Sequence, residues 1–419
     1  MEVHVRSSLL STIVAIAMVG VAAAQPLAPS PGAASGSIDE AGLIAAIEAH
    51  DPRIAATAAR VAAARAEVVA AGVRPNPSIS FEREEPFLDG QGFATNYLRV
   101  NLPIDVSGRR GLQIEAADAG VQAAARAATR TTHELVIDAL QVFDEAAHAR
   151  LRMALVIRER DALVRAVEIS RQRSQAGAAS GYEVQRFELE LAVHDDDTRT
   201  AEADLHHARM RLAALVGQAG ELDAATDLAL PTAVQPVEEL VTRASDRGDL
   251  RAARARSTQA TRRADAADRG WIPTPMLTGG AMTAPFGDQT GTGYVAGLQL
   301  SVPVFDRGQA EQARAAADQK LADAEARWLE RQIPVAVRTA QAALVARVEQ
   351  ARQLEAGPLA RVDGIVSAAE VAVREGKTTV TELLDAHRAA RAVRLRALEL
   401  LLSVARDTRA LELAIGHRL

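Results

Sequence analysis

Two segments in each half of the chain alternate apolar and polar residues, the pattern of a β-strand with one apolar face. In the first half Leu98 and Val100 fall on one face, and in the second half Leu298 and Leu300 repeat the pattern. A period of two sustained over about ten residues predicts a strand. We therefore predict two hairpins, with strands at residues 75–85, 94–105, 275–286 and 293–304 and turns at residues 88–92 and 287–293.

Most of the remaining chain has the spacing of apolar residues that is typical of α-helices. In the first half, residues 104–230 contain no proline, and the stretch from Gly108 to Gly177 is about 70 residues, which as one helix would be roughly 100 Å long. Gly177 followed by Ser180, and Gly376 followed by Thr379, each combine a helix stop with an N-cap. We therefore predict one long antiparallel helical hairpin in each half, with a tight tip at residue 177 in the first and at residue 376 in the second.

Two prolines interrupt the helical pattern of the second half. Pro334 and Pro358 lie within stretches that otherwise have helical spacing. Proline removes a backbone hydrogen-bond donor, and its ring clashes with the preceding turn of a helix. We therefore expect a kink or break in the helix near each of these residues.

The sequence is duplicated, with a shift of 196 to 200 residues between matching positions. Gly72–Pro77 is echoed by Gly270–Pro275, and Leu102–Ile104 is echoed by Val302–Val304. This period is too long for a solenoid unit and indicates two similar structural halves. The predicted organisation is a first repeat at residues 38–217, a linker within a small subdomain at residues 218–236, and a second repeat at residues 237–417.

The N-terminus has the features of a secretory signal. Arg6 supplies a positive charge, an apolar run follows, and Ala22–Ala24 offer a small-residue cleavage site. We predict a signal peptide at residues 1–24 and a flexible leader, rich in Pro, Ser, Gly and Ala, at residues 25–37. No later apolar run is long enough to cross a bilayer as a helix, so any membrane insertion of the mature chain must be β or peripheral.

Composition and motifs exclude several classes of function. The chain has no cysteine, which excludes disulfides, thiolate metal sites and a lipid anchor on cysteine. A formal net charge of −6 argues against nucleic acid as the main partner. We find no catalytic constellation and no phosphate-binding loop, and we predict neither an enzyme nor a cofactor. His206–His207 and Asp195–Asp197 are assigned to a solvated helix face, because they lie about three helical turns apart.

The four predicted strands raise the question of where they lie. They are about ten residues long, which is enough to cross an outer membrane at a tilt. Four strands cannot close a barrel, and an open sheet edge is not tolerated in lipid. Strands in the membrane would therefore require several chains to share one barrel. The alternative is two soluble hairpins packed on a helical body.

The order of these segments resembles that of the TolC-type outer membrane efflux proteins. The landmarks are Arg74–Pro77, Leu300–Gly308 and Glu375–Ala386, and the resemblance covers residues 38–417. It implies a mainly α fold with a small membrane β portion: a homotrimer with four strands per chain in one twelve-stranded barrel, above an α-helical coiled-coil tunnel. It also implies residence in the outer membrane of a Gram-negative bacterium, in contact with its lipid, with a long periplasmic part.

The resemblance also implies a function. In its short length and brief C-terminus, the chain most resembles the outer membrane components of heavy-metal resistance pumps of the resistance-nodulation-division type. The implied function is the passive exit duct of a tripartite efflux system, opened at its periplasmic tip and driven by an inner-membrane pump through a periplasmic adaptor protein. Two alternatives stay open: the duct of a type I protein secretion system, and a soluble periplasmic coiled-coil adaptor or scaffold.

The helical tips are the candidate functional sites. Glu382 and Asp385 are three residues apart and share one helical face just past a tip. In the family, acidic residues at the matching positions ring the closed periplasmic entrance, so these two residues are a candidate gate. Glu382 also fits a capping-box role. The residues that the resemblance leads us to expect at the contact with the adaptor are Gly177, Ser180, Gly376 and Thr379.

Overall fold

The computed structural model describes residues 36–88, 91–92, 94–287 and 289–419. The predicted signal peptide and most of the predicted leader lie outside these residues. The elements in chain order are β1 (Gly36–Ile38), α1 (Glu40–His50), α2 (Pro52–Gly72), β2 (Ser78–Glu84), β3 (Phe87–Leu88), β4 (Gln91–Gly92), β5 (Thr95–Pro103), α3 (Arg109–Gln175), α4 (Gly181–Leu215), β6 (Leu222–Ala224), α5 (Val237–Ala244), α6 (Gly248–Asp268), β7 (Met276–Phe286), β8 (Gln289–Gln299), α7 (Gln309–Leu354), α8 (Ala360–Arg374) and α9 (Val380–Ile415).

The long helix α3 organises the whole molecule. It is one unbroken helix of 67 residues, about 100 Å long at 1.5 Å per residue. Towards the large sheet, α2 packs on α3, α3 on α6 and α6 on α7. Towards the tips, α4 packs on α3, α3 on α9, and α9 on α7 and α8. The helices therefore form a layer of four towards the sheet and, because α8 continues α7, a layer of similar width towards the tips, with the first repeat on one side and the second repeat on the other.

The two prolines in the second repeat behave differently from each other. Pro334 lies inside α7, which continues through it without a break. Its neighbours Ile333 and Val337 are 3% and 0% exposed, and their packing holds the helix where one backbone hydrogen bond is missing. Pro358 lies in a π-helical turn, Glu355–Leu359, between α7 and α8. Of the kink or break expected near Pro334, a break does not occur, and the disturbance near Pro358 takes the form of this wider turn.

Four strands form one sheet in the order β2-β5-β7-β8, and every neighbouring pair is antiparallel. The predicted hairpins are thus joined through β5 and β7. The edges β2 and β8 pair with no other strand among the described residues. β8 begins at Gln289, inside the predicted turn, and ends at Gln299 rather than at Val304. The part of the prediction beyond residue 299 was wrong for the single chain, because no neighbouring strand continues along that edge.

The two faces of this sheet differ in chemistry. Arg99 pairs with Glu82 and stacks 4.3 Å over the ring of Tyr97 on one face, where Thr278 also donates a 2.8 Å hydrogen bond to Asn101. The other face is apolar and exposed; Leu102, the least exposed of its large side chains, is 41% exposed. Its large side chains are Ile79, Phe81, Leu98, Val100, Leu102, Leu277, Tyr294 and Leu298. This division is typical of membrane strands, in which the apolar face contacts lipid and the polar face contacts water.

A small subdomain lies beside the middle of the long helices. β1 pairs in parallel with β6, so the end of the predicted leader is a strand rather than a flexible segment. Leu43 and Ile47 of α1 pack with Phe143 of α3 and Leu212 of α4 in one buried cluster. This cluster fixes the start of the first repeat and the linker against the helical body. None of the helices in the described ranges has the length and apolar content to cross a membrane.

Candidate functional site

Both helical hairpins turn by the same local device. α3 ends at Gln175, Gly177 adopts a φ of 73°, and the Ser180 side chain accepts a hydrogen bond from the Glu183 amide at 3.3 Å. In the second repeat, Gly376 also has a φ of 73° after α8 ends. Positive φ favours glycine at both turns. A side chain built on either glycine would meet no atom within 4 Å, so both turns lie on open surface.

The acidic pair of the second tip divides into two roles. The Glu382 carboxylate accepts a 3.1 Å hydrogen bond from the Thr379 amide, and the Glu382 amide donates a 3.3 Å bond to the Thr379 hydroxyl. Together they make a complete capping box. Asp385 is 63% exposed at its side chain and lies 3.9 Å from Arg388. Asp385 is therefore the more available charge, while Glu382 is held at the start of α9.

The two tips pack against each other in a region that we call the tip junction. Arg186, the first-repeat counterpart of Asp385, donates a 3.1 Å hydrogen bond to the Thr381 hydroxyl. Arg173 donates to the backbone carbonyl of Val373. Between these contacts lies one apolar cluster drawn from both hairpins, made of Leu163, Ala166, Val167, Phe187, Val373, Val380, Leu383 and Leu384. Side chains near the two tips thus belong to one packed unit.

A row of arginines on α9, Arg388, Arg391 and Arg394, continues the tip junction along the helices. The Nε of Arg388 donates to Glu190 of α4 at 3.0 Å, and this bond lowers the pKa of the Glu190 carboxyl. Arg391 pairs with Asp197, also on α4. This α9 arginine row was not singled out from the sequence, although its spacing of three residues was a visible signal for one helical face.

Arg394 is the deepest member of the α9 arginine row. It bridges Glu159 of α3, which is 4% exposed, and Asp363 of α8. Two turns earlier on α9, His387 is 8% exposed, and burial lowers the pKa of its imidazole. Its Nε2 has no hydrogen-bond partner in the described part of the chain and lies 3.9 Å from Glu370 of α8. Charged groups thus connect α9 to every neighbouring helix near the tips.

A second ion cluster joins the two repeats at the far end of α9. Arg409 lies 2.9 Å from Asp144 of α3, 3.1 Å from Glu412 and 3.2 Å from Glu40. Asp144 and Glu412 are each 3% exposed. Burial raises the pKa of Asp144, and the hydrogen bond from Arg409 opposes this effect. The arginine is the counterion that allows these carboxylates to be buried.

His206, on the helix face that the sequence predicts to be solvated, is 62% exposed at its side chain. His206 Nδ1 lies 2.9 Å from Glu221, and Arg209 binds the same carboxylate at 3.3 Å. Within the described ranges, no group of three or more histidine or acidic side chains is arranged to hold a metal ion. The interactions of His206 therefore have a structural explanation within the chain.

The sheet has one apolar and one polar face and stands above an elongated layer of helices. This combination is typical of membrane channels in which β-strands lie in lipid and helices form a tunnel. The sequence pattern of the outer membrane efflux protein family matches residues 43–218 and 243–417, once in each half of the chain. The chain belongs to this family, and the resemblance seen in the sequence is confirmed.

Several curated relatives are named for metal resistance. The chain is 25% identical over 279 residues to the nickel-cobalt-cadmium resistance protein NccC of Alcaligenes xylosoxydans xylosoxydans, covering 66% of this chain and 63% of that protein. It is 26% identical over 348 residues to the cobalt-zinc-cadmium resistance protein CzcC of Cupriavidus metallidurans, covering 80% and 79%. A third relative is protein CyaE of Bordetella pertussis, at 27% identity over 64% of this chain and 61% of that protein. The match therefore spans about three fifths of NccC and CyaE.

Solved structures agree in fold. The structure of CusC matches with a TM-score of 0.74 at 18% identity, covering 94% of this chain and 96% of that chain. The outer membrane protein VceC of Vibrio cholerae matches with a TM-score of 0.72 at 19% identity, covering 90% and 96%. At these identities the likeness establishes the mainly helical fold with its small β portion.

Family membership has direct consequences for the predictions. It puts the protein in the outer membrane, with the helices forming a long periplasmic part. The members of this family are outer membrane channels rather than enzymes. Channels of this family are trimeric and work with an adaptor and an inner-membrane pump. The alternative of a soluble periplasmic adaptor is therefore wrong.

Proposed function

We propose that this protein is the passive exit duct of a tripartite efflux system. The observation that carries the proposal is the four-stranded sheet, which is apolar on one face, polar on the other and, within the described ranges, unpaired at both edges. Such a sheet is stable in lipid only when other chains complete a barrel. The helices below it continue the enclosed path into the periplasm. The energy for export comes from a pump, since the chain carries no motif for nucleotide binding.

We propose that three chains close one twelve-stranded barrel, and the duplication suggests the register. Within the chain, Asn101 of β5 lies opposite Thr278 of β7. The sequence repeat relates Asn101 to Ser301 and Thr278 to Ser80. If the contact between chains copies the contact within the chain, Ser301 lies opposite Ser80 of the neighbour. The strand β8 then extends past Gln299, where the single chain offers it no partner.

The outer edges of the helical layer support the same assembly. On α7, Leu321, Trp328 and Val335 are 60%, 59% and 61% exposed and are seven residues apart. On α4, Tyr182 and Leu189 are 69% and 68% exposed with the same spacing. Apolar residues seven positions apart hold the same heptad position, so they share the side of the helix that a coiled-coil partner would cover. The α7 stripe lies on an edge helix towards the sheet and the α4 stripe on an edge helix towards the tips, so a ring of identical chains would cover both stripes.

The tips serve, in this proposal, as the gate and as the docking point for the adaptor. Gly177 and Gly376 stand on open surface, and Ser180 and Thr379 start the helices beside them. Asp385 from three chains would form a ring of exposed carboxylates, whereas Glu382 is engaged as a helix cap. We further propose a pump of the resistance-nodulation-division type as the partner. The relatives named for nickel, cobalt, cadmium and zinc resistance support a metal pump as one candidate.

Conductance in planar bilayers tests both the duct and its gate. The wild-type protein should form channels that divalent cations block from the side of the tips. Asp385→Asn should weaken this block about tenfold, because cation binding at a ring of carboxylates depends on their charge. Glu382→Gln, which keeps a hydrogen-bond acceptor for the cap, should change it less. A protein that inserts into bilayers without conducting would contradict the duct; equal block in wild type and Asp385→Asn would contradict the gate.

A further inference from the structure

The concave side of the helical layer near the sheet holds a large cavity. Its volume is about 1220 Å³, and α2, α3, α6 and α7 all line it. The residues that α3 contributes are mainly alanines, together with Gly120. Because these side chains are small, the longer side chains of the other helices extend into the cavity. Since the four helices lie side by side, their shared concave face is the one that a ring of chains would turn towards the tunnel.

Arginines dominate the charge of this cavity. The guanidinium groups of Arg60, Arg256, Arg263 and Arg314 are exposed, and none has a carboxylate within 4 Å among the described residues. A fifth arginine, Arg109, pairs with Glu311. The remaining carboxylates of the lining are Glu67 and Asp318. Five arginines and three carboxylates give the lining a formal charge of +2, in a chain whose formal net charge is −6.

The spacing of the arginines along α6 places them on the cavity side of this helix. Arg256 and Arg263 are seven residues apart, so they lie on the same side of α6, about 10 Å apart along its axis. Gln259 and Ala260 lie between them on that side and also line the cavity. Arg254, two residues before Arg256, points to the other side of α6 and lies 2.8 Å from Glu330. Among the residues that the structure describes, the same helix therefore has arginines without a carboxylate partner on the cavity side and a paired arginine on the opposite side.

We infer that this part of the tunnel attracts anions and that the duct favours solutes carrying carboxylate or phosphate groups over free metal cations. The inference rests on the proposed function, since it requires the concave face to line a conducting path. Charges of one sign on the walls of a cleft raise the local concentration of opposite charges. Guanidinium groups match the geometry of carboxylates and phosphates. In a ring of three chains, the three arginine-lined cavities would form a belt around the tunnel, with a formal charge of +6 from +2 in each chain.

The test is the reversal potential of single channels in a KCl gradient at low ionic strength, where screening is weakest. Arg256→Gln/Arg263→Gln should shift the anion-to-cation permeability ratio about threefold towards cations, a size expected for charges about 10 Å from a permeating ion in water. Glu67→Gln should shift the ratio in the opposite direction. Arg254→Gln, on the opposite side of the same helix, should leave it unchanged.

The possible outcomes separate this inference from the proposed function. Channels that conduct with the same permeability ratio in the wild type, the double arginine variant and Glu67→Gln would overturn the anion-attracting belt but leave the duct intact. An equal shift in Arg254→Gln would also overturn it, because the effect would not come from the cavity. The absence of any conductance would overturn both proposals.

Discussion

Arg409 shows how much of this fold depends on single charged residues. It neutralises Asp144 on α3 and Glu412 on its own helix, both almost fully buried, and also reaches Glu40 at the start of α1. Three elements distant in sequence thus share one guanidinium group. Removing one partner of a buried ion pair leaves an uncompensated charge, which costs far more than losing a surface pair.

We predict that Arg409→Met lowers the stability of the folded protein by about 3–5 kcal/mol, because Asp144 and Glu412 remain buried without a counterion. Thermal unfolding in detergent, followed by circular dichroism, measures the effect as a fall in the midpoint temperature. Arg406→Met is the matched control: this arginine lies three residues earlier and pairs with Glu145 at a half-exposed position, so its loss should cost about 0–1 kcal/mol. Similar midpoints for both variants would show that the buried cluster does not hold the repeats together.

At the scale of elements, the sequence predicted what depends on local signals. Gly177 and Gly376 mark turns through their backbone freedom, and Thr379 with Glu382 forms the expected capping box. Partners far along the chain could not be predicted in this way. Arg394 is visible as a charge on a helix, but its partner Glu159 lies 235 residues away and is identified only by the packing of α9 on α3.

The same distinction explains the errors in the helices and strands. A kink or break was expected near Pro334, but the helix does not break there, because its buried neighbours hold it together, which is a tertiary effect. The alternating pattern up to Val304 predicted a strand, yet β8 ends at Gln299, because a strand also needs a neighbour to pair with. The apolar face of the sheet was predictable because its period of two is local.

The segment between α6 and β7 supports a prediction about membrane position. Trp271 is 56% exposed at the end of the sheet nearest the helices and lines a cavity of about 510 Å³ with Val302, Val304 and Arg307. Tryptophan is enriched where lipid meets water. Trp328, the other tryptophan of the chain, lies 19 residues into α7, about 29 Å along the helix and outside the bilayer.

We therefore predict that brominated phospholipids quench Trp271 but not Trp328 in reconstituted vesicles. The variant Trp328→Phe leaves Trp271 as the only emitter and should lose about half of its fluorescence, since the ring would lie at the lipid boundary. The variant Trp271→Phe is the control and should be unaffected. Quenching of Trp328 alone, or of neither residue, would contradict the assigned position of the membrane.

At the scale of the whole molecule, the duplication accounts for the architecture. Each repeat supplies two strands and one long helical hairpin, and the family pattern matches once in each. In the part of the chain that the structure describes, the sheet has two unpaired edges, and exposed apolar stripes lie on α4 and α7 at the edges of the helical layer. The contact between β5 and β7 inside the chain has the same design as the proposed contact between β8 and β2 of two chains. The closed assembly follows from repeating one interface six times, three within chains and three between them.

Disulfide formation between chains tests this central claim most directly, because the natural chain has no cysteine. The variant Ser80→Cys/Ser301→Cys places its two thiols opposite each other across the proposed interface, at a separation that suits a disulfide. Oxidation in membranes should yield a covalently linked trimer, and a reducing agent should convert it back to single chains. In the control Ser80→Cys/Leu300→Cys, the second thiol lies on the other face of the strand and should cross-link poorly. Oxidised chains that stay monomeric, or equal cross-linking in both variants, would contradict the shared barrel and its register.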